Sequence, residues 1–122
     1  MEITLSTREA AAAIGRSVRT AQRWAATGKL TAVKQGGRWQ ITVAADVEGY
    51  KPFQLDKARQ LIEDGGIAAS VRRPGIWTAV SSDGTTTYLV HAARCSCPAG
   101  QRDRQCYHRA AVALLQSART AA

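Results

Sequence analysis

An α+β chain built as two small modules is what the sequence predicts, and three observations carry that prediction. Two short helical patterns near the N-terminus run directly into a pair of β-prone segments centred on Gly36-Gly37. A second β-prone pair occupies residues 76–90. Three cysteines and a histidine then crowd into residues 95–108, just ahead of an apolar-periodic C-terminal stretch. A chain of 122 residues suffices for one domain, or for two very small ones that each bury little apolar surface without a metal or a partner.

The first helix is announced by Ser6 and Glu9, three residues apart, the spacing at which an N-cap side chain and the N3 side chain satisfy each other's backbone donors. The helix starts at about Thr7. Ala10, Ala13 and Ile14 share one face, and Gly15 is placed to end it in a left-handed conformation. After a tight turn, Ser17 caps a second helix in which Val18, Ala21 and Trp24 (or Ala25) face inward while Arg19, Thr20, Gln22 and Arg23 stay outside. Gly28 closes it. The two glycines at 36 and 37 supply the positive φ angles of a hairpin tip, lined by Lys34, Gln35 and Arg38.

Charge narrows the partners. Seventeen Lys and Arg against nine Asp and Glu give a formal charge of +8, which attracts polyanions and puts DNA or RNA first among candidates. Residues 1–51 hold eight basic and four acidic side chains, and residues 52–122 hold nine and five, so the charge is not confined to a tail. A helix, a turn, a second helix with a cationic outer face and a basic hairpin make a DNA-reading device, because the helix fits the major groove and the hairpin reaches flanking phosphates or the minor groove. Arg19 and Arg23, four residues apart on one face, repel by a few tenths of a kcal/mol, roughly, unless a polyanion neutralises them.

Residues 5–47, LSTREAAAAIGRSVRTAQRWAATGKLTAVKQGGRWQITVAADV, resemble the DNA-binding head of the excisionase and MerR-like winged helix-turn-helix group. The resemblance implies that the second helix reads bases, with Ser17, Arg19, Thr20 and Arg23 approaching the major groove, that Lys34 and Arg38 act from the wing, and that Trp24 and Trp39 pack in the core. Members of the MerR type continue into a long dimerisation helix, whose place is taken here by the cysteine-rich segment. No dimer is therefore implied.

The pattern breaks between Glu48 and Pro52, which sets the expected domains at 1–51 and 52–122. Phe53, Ala58, Leu61 and Ile62 recur at helical spacing as a core face, Gly65-Gly66 stops that helix, and a basic segment covers 71–74. Segments 76–81 and 85–90, separated by Ser82, Asp83 and Gly84, predict a two-stranded hairpin leading into the cysteines.

Cys95 and Cys97 stand two residues apart, so in an extended chain both thiols point to one side, and Pro98 then breaks the strand. Cys106 and His108 repeat the spacing, and His108 opens a helical stretch through Ala111, Val112 and Leu115. Three thiolates and an imidazole form the closed donor set of one structural zinc ion, with no position left for a reactive water. His91, about 13 Å from Cys95 along an extended strand at roughly 3.3 Å per residue, is a strand-face residue rather than a ligand. The cluster carries −1 with zinc, which gives Arg94, Arg102, Arg104 and Arg109 two roles to choose between, balancing the sulfurs or meeting phosphate. C-x-C-x8-C-x-H between a hairpin and a helix, over residues 53–117, resembles the SWIM zinc finger, a family associated with both DNA and protein binding.

Several function classes fall away. An odd set of three cysteines with C-x-C spacing suits a reducing compartment better than disulfides. No run of 18 apolar residues exists, and the N-terminus lacks a signal-peptide pattern, so the expectation is a soluble, cytoplasmic protein with no membrane role, associated with the nucleoid when bound to DNA. Scattered carboxylates, no nucleophile pair apart from the metal ligands and no phosphate loop point away from an enzyme. The expected function is a sequence-selective double-stranded DNA binder, a transcriptional regulator or an excisionase-like recombination factor of a bacterium, phage or mobile element. The alternative is an adaptor whose zinc module grips a protein partner while the head locates DNA.

Overall fold

The computed structural model describes residues 2–45, 47–81, 83–91, 94–98, 102 and 105–121. Among them the element order is β1 (Glu2–Leu5), α1 (Thr7–Ile14), α2 (Val18–Thr27), β2 (Ala32–Gln35), β3 (Arg38–Ala44), α3 (Pro52–Glu63), β4 (Ile67–Ala69), β5 (Trp77–Val80), β6 (Thr87–His91), β7 (Arg94–Cys95) and α4 (Tyr107–Ala121). The fold is α+β, as the patterning predicts. No helix among these residues is long and apolar enough to cross a membrane. Two compact units result, Met1–Val47 with Leu114–Ala122, and Glu48–Ala113. A division at 51/52 thus differs at both ends: the first unit stops at Val47 and takes back the end of α4.

In the first unit, α1 carries the capping box in full, with the Ser6 side chain accepting from the Glu9 N–H and the Glu9 carboxylate accepting from the Ser6 N–H, each at 3.1 Å. Ser17 caps α2 by accepting from the Thr20 N–H at 3.2 Å. Strands β2 and β3 meet at Gly36-Gly37, whose φ angles of 59° and 77° suit a two-residue hairpin turn. The sequence reading missed β1, a four-residue strand, EITL, in which only Ile3 and Leu5 turn inward. It pairs antiparallel with β3, placing Leu5 opposite Ile41 and Ile3 opposite Val43, and makes β3 the centre of a three-stranded sheet ordered β1-β3-β2.

These four side chains are buried, with Ala10, Ala11, Ala13, Ala21, Ala25, Leu30 and Val47. Ala21 and Ala25, not Trp24, supply the inner face of α2: Trp24 is half-buried, and Val18 is 39% exposed. Trp39 is likewise half-buried, because it lies on the helix-facing side of β3 but near the wing tip, past the end of the core.

The second unit is larger in sheet than expected. The predicted hairpin is the middle of an antiparallel meander, β4-β5-β6-β7. Strand β4 was hidden behind Gly65-Gly66, and β7 is only two residues long. Ser82, assigned to the β5–β6 turn, lies outside the described residues; Asp83 organises that turn, accepting from the Thr85 N–H at 3.1 Å and its hydroxyl at 2.7 Å. Helix α3 buries Leu55, Ala58, Leu61 and Ile62, while Phe53, read as core, is 55% exposed in the first turn. Gly66 allows the end of α3 to lie against β5: a Cβ there would come within 2.7 Å of Leu61 Cδ1 and 2.9 Å of Val80 Cγ2. Buried Trp77, Ala79 and Val90 from the sheet and Ala110, Ala111 and Val112 from α4 complete this unit's apolar interior. The basic segment 71–74 is an exposed connection between β4 and β5.

Candidate metal centre and nucleic-acid surface

Cys95 ends β7, and Cys97 follows it across a bend, both cysteines buried while Ser96 faces out: the Ser96 N–H donates to the Leu89 carbonyl at 3.0 Å and its hydroxyl accepts from the Leu89 N–H at 3.0 Å. Strand β7 has already ended at Cys95, three residues ahead of Pro98. Cys106 immediately precedes α4, and His108 lies in its first turn. The four donor atoms lie within 4.8 Å of one another, and all four residues are buried.

Two details fit this set to a metal ion. First, the His108 Nε2 lies 3.2 Å from the carbonyl of Val80; a carbonyl only accepts, so the ring proton sits on Nε2 and the Nδ1 lone pair is left for a ligand. That Nδ1 is 3.8 Å from Cys95 Sγ. Bonds of zinc length in a tetrahedron place sulfur and nitrogen about 3.6 Å apart, so the spacing is already close to that of a filled site. Second, sulfur charge has local support. The Cys97 N–H points to Cys95 Sγ at 3.5 Å.

The thiols are unequal. The pKa of Cys106 is lowered to about 4, first by the hydrogen bond from the Cys95 thiol, against the opposing effect of burial, with further help from the Arg109 backbone N–H. Its position at the start of α4 adds the favourable end of the helix dipole. The same Cys95–Cys106 bond, then burial, pushes the Cys95 thiol up. Tyr107, at 4.1 Å between ring centroids, and Tyr88, edge-on at 5.4 Å, flank the imidazole; burial raises the Tyr107 pKa. Such a buried Cys3His cluster can hold one structural metal ion.

His91 is exposed and not part of this cluster. The extended path assumed for it is wrong, since β6 and β7 pair with His91 opposite Arg94. Arg94 and Arg102 are exposed and Arg109 is half-buried; Arg104 lies outside the described residues.

In the head, Arg19, Gln22 and Arg23 are exposed on α2. Ser17 and Thr20 are committed to the cap, the Ser17 hydroxyl donating to Thr20 Oγ1 at 3.0 Å while it accepts the Thr20 N–H. Half-buried Trp24 is a seat for cations, with Lys29 Nζ 3.9 Å and the Arg16 guanidinium 5.9 Å from its ring centroid. Register separates the two wing cations. Lys34 pairs with Trp39 on the helix-facing side, its ammonium 5.7 Å from that ring, whereas Arg38 pairs with Gln35 on the opposite face.

A cleft of about 530 Å³ is lined by Thr7 and Arg8 from the start of α1, Gln22 from α2, and Arg38, Trp39 and Gln40 from the wing. It gathers Arg38 from the predicted set but not Ser17, Arg19, Thr20, Arg23 or Lys34. Gln22 is read from sequence as an outward residue of the second helix but not as a DNA contact, and Arg8 carries no signal there, because only the fold brings the first turn of α1 beside the wing.

A helix-turn-helix domain family model matches residues 4–45, a span that begins within β1 and ends just past β3. The match indicates DNA binding for this part of the chain. Neither a curated protein nor a solved structure matches the sequence.

Proposed function

We propose that the protein is a sequence-selective double-stranded DNA-binding factor, a transcriptional regulator or excisionase-like accessory protein, whose second unit is held by one structural zinc ion. The observation that carries the reading is the helix-turn-helix match over residues 4–45, with a second helix that presents Arg19, Gln22 and Arg23 outward while Ala21 and Ala25 are buried. In the proposed complex α2 enters the major groove. Arg19 and Arg23 reach base edges, and Ser17 and Thr20, at its N-terminus, meet the backbone beside them. The wing straddles the adjacent backbone with Lys34 on one face and Arg38 on the other.

The first unit holds eight basic and three acidic side chains, a balance that supports a polyanionic partner. Zinc is the ion that best suits three sulfurs and one imidazole in a tetrahedron, and full occupancy of its coordination sphere assigns it to folding rather than catalysis. The order of ligands and flanking elements supports a SWIM-like module, and no enzymatic step is assigned to the chain.

Salt dependence tests the partner. If about five phosphates are neutralised, the slope of log affinity against log salt for a duplex is about −4 to −5. A salt-independent affinity would contradict the reading and favour the protein adaptor.

A further inference from the structure

Helix α1 reaches its C-terminus with four backbone carbonyls to satisfy. The turn itself answers two: the Gly15 N–H donates to Ala12 at 3.3 Å and the Arg16 N–H to Ala11 at 3.0 Å. The carbonyl of Ala13 is met by Arg119 Nε at 3.0 Å, from 106 residues further along the chain. A Cβ on Gly15 would lie 3.5 Å from Arg119 Nη2, so the guanidinium stands directly against the turn between α1 and α2. Helix α1 has no basic residue in its own last turn, and a cation there complements the helix dipole. Arg119 belongs to the first unit together with Leu114, Leu115 and Ala118, each at most 2% exposed. These leucines matter because α1 itself buries only alanine methyls.

The same helix begins at the metal ligands, with Cys106 before its first residue and His108 in its first turn. The other crossing between the units, at Val47/Glu48, is tied to the residue beside Cys106: Gln105 Nε2 donates to the Glu48 carbonyl at 3.5 Å, and Gln54 Nε2 donates to the Gln105 carbonyl at 3.1 Å.

We propose that the last two turns of α4 act as a third helix of the head, with Arg119 as a positioning residue that braces the turn before α2, so that filling the Cys3His site strengthens DNA binding without the metal unit touching DNA. The consequence for DNA rests on the function proposed above; the brace does not. Ordering the ligands fixes the start of α4, and a helix fixed at its start loses less entropy in holding its end. Metal binding and DNA binding are then linked, each favouring the other by the same factor.

The test uses the full chain with zinc bound, following hydrogen exchange of the α1 and α2 amides and affinity for a duplex in parallel. Arg119→Gln is expected to speed exchange across α1 and α2 and to weaken the duplex complex about tenfold, ~1.4 kcal/mol, with zinc content unchanged. Arg119→Lys, which keeps charge and one donor but not the planar fork, recovers part of both. Chelating zinc from the unsubstituted chain gives the same acceleration in α1 and α2, and chelating it from Arg119→Gln adds little more there. Unchanged α1 and α2 exchange in Arg119→Gln, or acceleration on chelation that simply adds to that of Arg119→Gln, would overturn the proposal. If the unsubstituted chain binds no duplex, the proposed function fails, while the exchange data still decide whether the brace exists.

Discussion

In the first unit the helices end on Ser6, Gly15, Ser17 and Gly28 and bury mainly alanine methyls against a small sheet, whereas in the second unit three thiols and an imidazole occupy the interior beside the start of α4. Each unit has a small apolar interior of its own. The first spreads its stability over many separate terms, caps worth about 1 kcal/mol each and buried aliphatic side chains worth about 1.5–3 kcal/mol each. The second offers one concentrated site, where the proposed structural zinc would contribute on the order of 10 kcal/mol of binding free energy coupled to folding. Spread terms fail gradually, and a concentrated one fails at once.

The largest expected effect follows from that contrast. Chelation should unfold Glu48–Ala113, seen as loss of its strand signal in circular dichroism and of slow exchange in β5 and β6; a chelated chain with unchanged circular dichroism would remove the metal's folding role. Within the head, the corresponding loss is small. Ser6→Ala removes the side-chain half of the capping box and should lower stability in thermal or denaturant melts by about 1 kcal/mol. A collapse of the head on that single change would erase the difference between the units.

How far the two regions could be read from sequence follows the same line. The head announced itself through local chemistry: Ser6 with Glu9, Gly15, Ser17, and Gly36-Gly37 each fix a backbone conformation within a few residues, and each stands where expected. Strand β1 escaped because four residues with two inward side chains carry little periodicity, and its register depends on Ile41 and Val43, some forty positions away. The ligand quartet was legible because thiol and imidazole spacing is restrictive in a way that apolar spacing is not. Phe53 was misread for that reason: it fits a helical period as well as Leu55 does, and only the fold decides which faces inward. Trp24 and Trp39, which the family resemblance places in the core, stand at the edge of a thin interior and are half-buried beneath lysines. Arg119 had no signal in its own neighbourhood. The deficit it fills is at the end of α1, more than a hundred residues earlier.

Sequence-selective reading by α2 is the central claim, and discrimination between duplexes tests it most directly. With a preferred site selected from a random duplex library by the full chain, affinities for that site and for an unrelated duplex are compared in Arg23→Ala and Lys34→Ala. Arg23→Ala should lose about 1–3 kcal/mol on the preferred site and with it the preference, whereas Lys34→Ala should weaken both duplexes evenly. Equal losses on both duplexes from both substitutions would contradict the assignment of α2 as the reading helix.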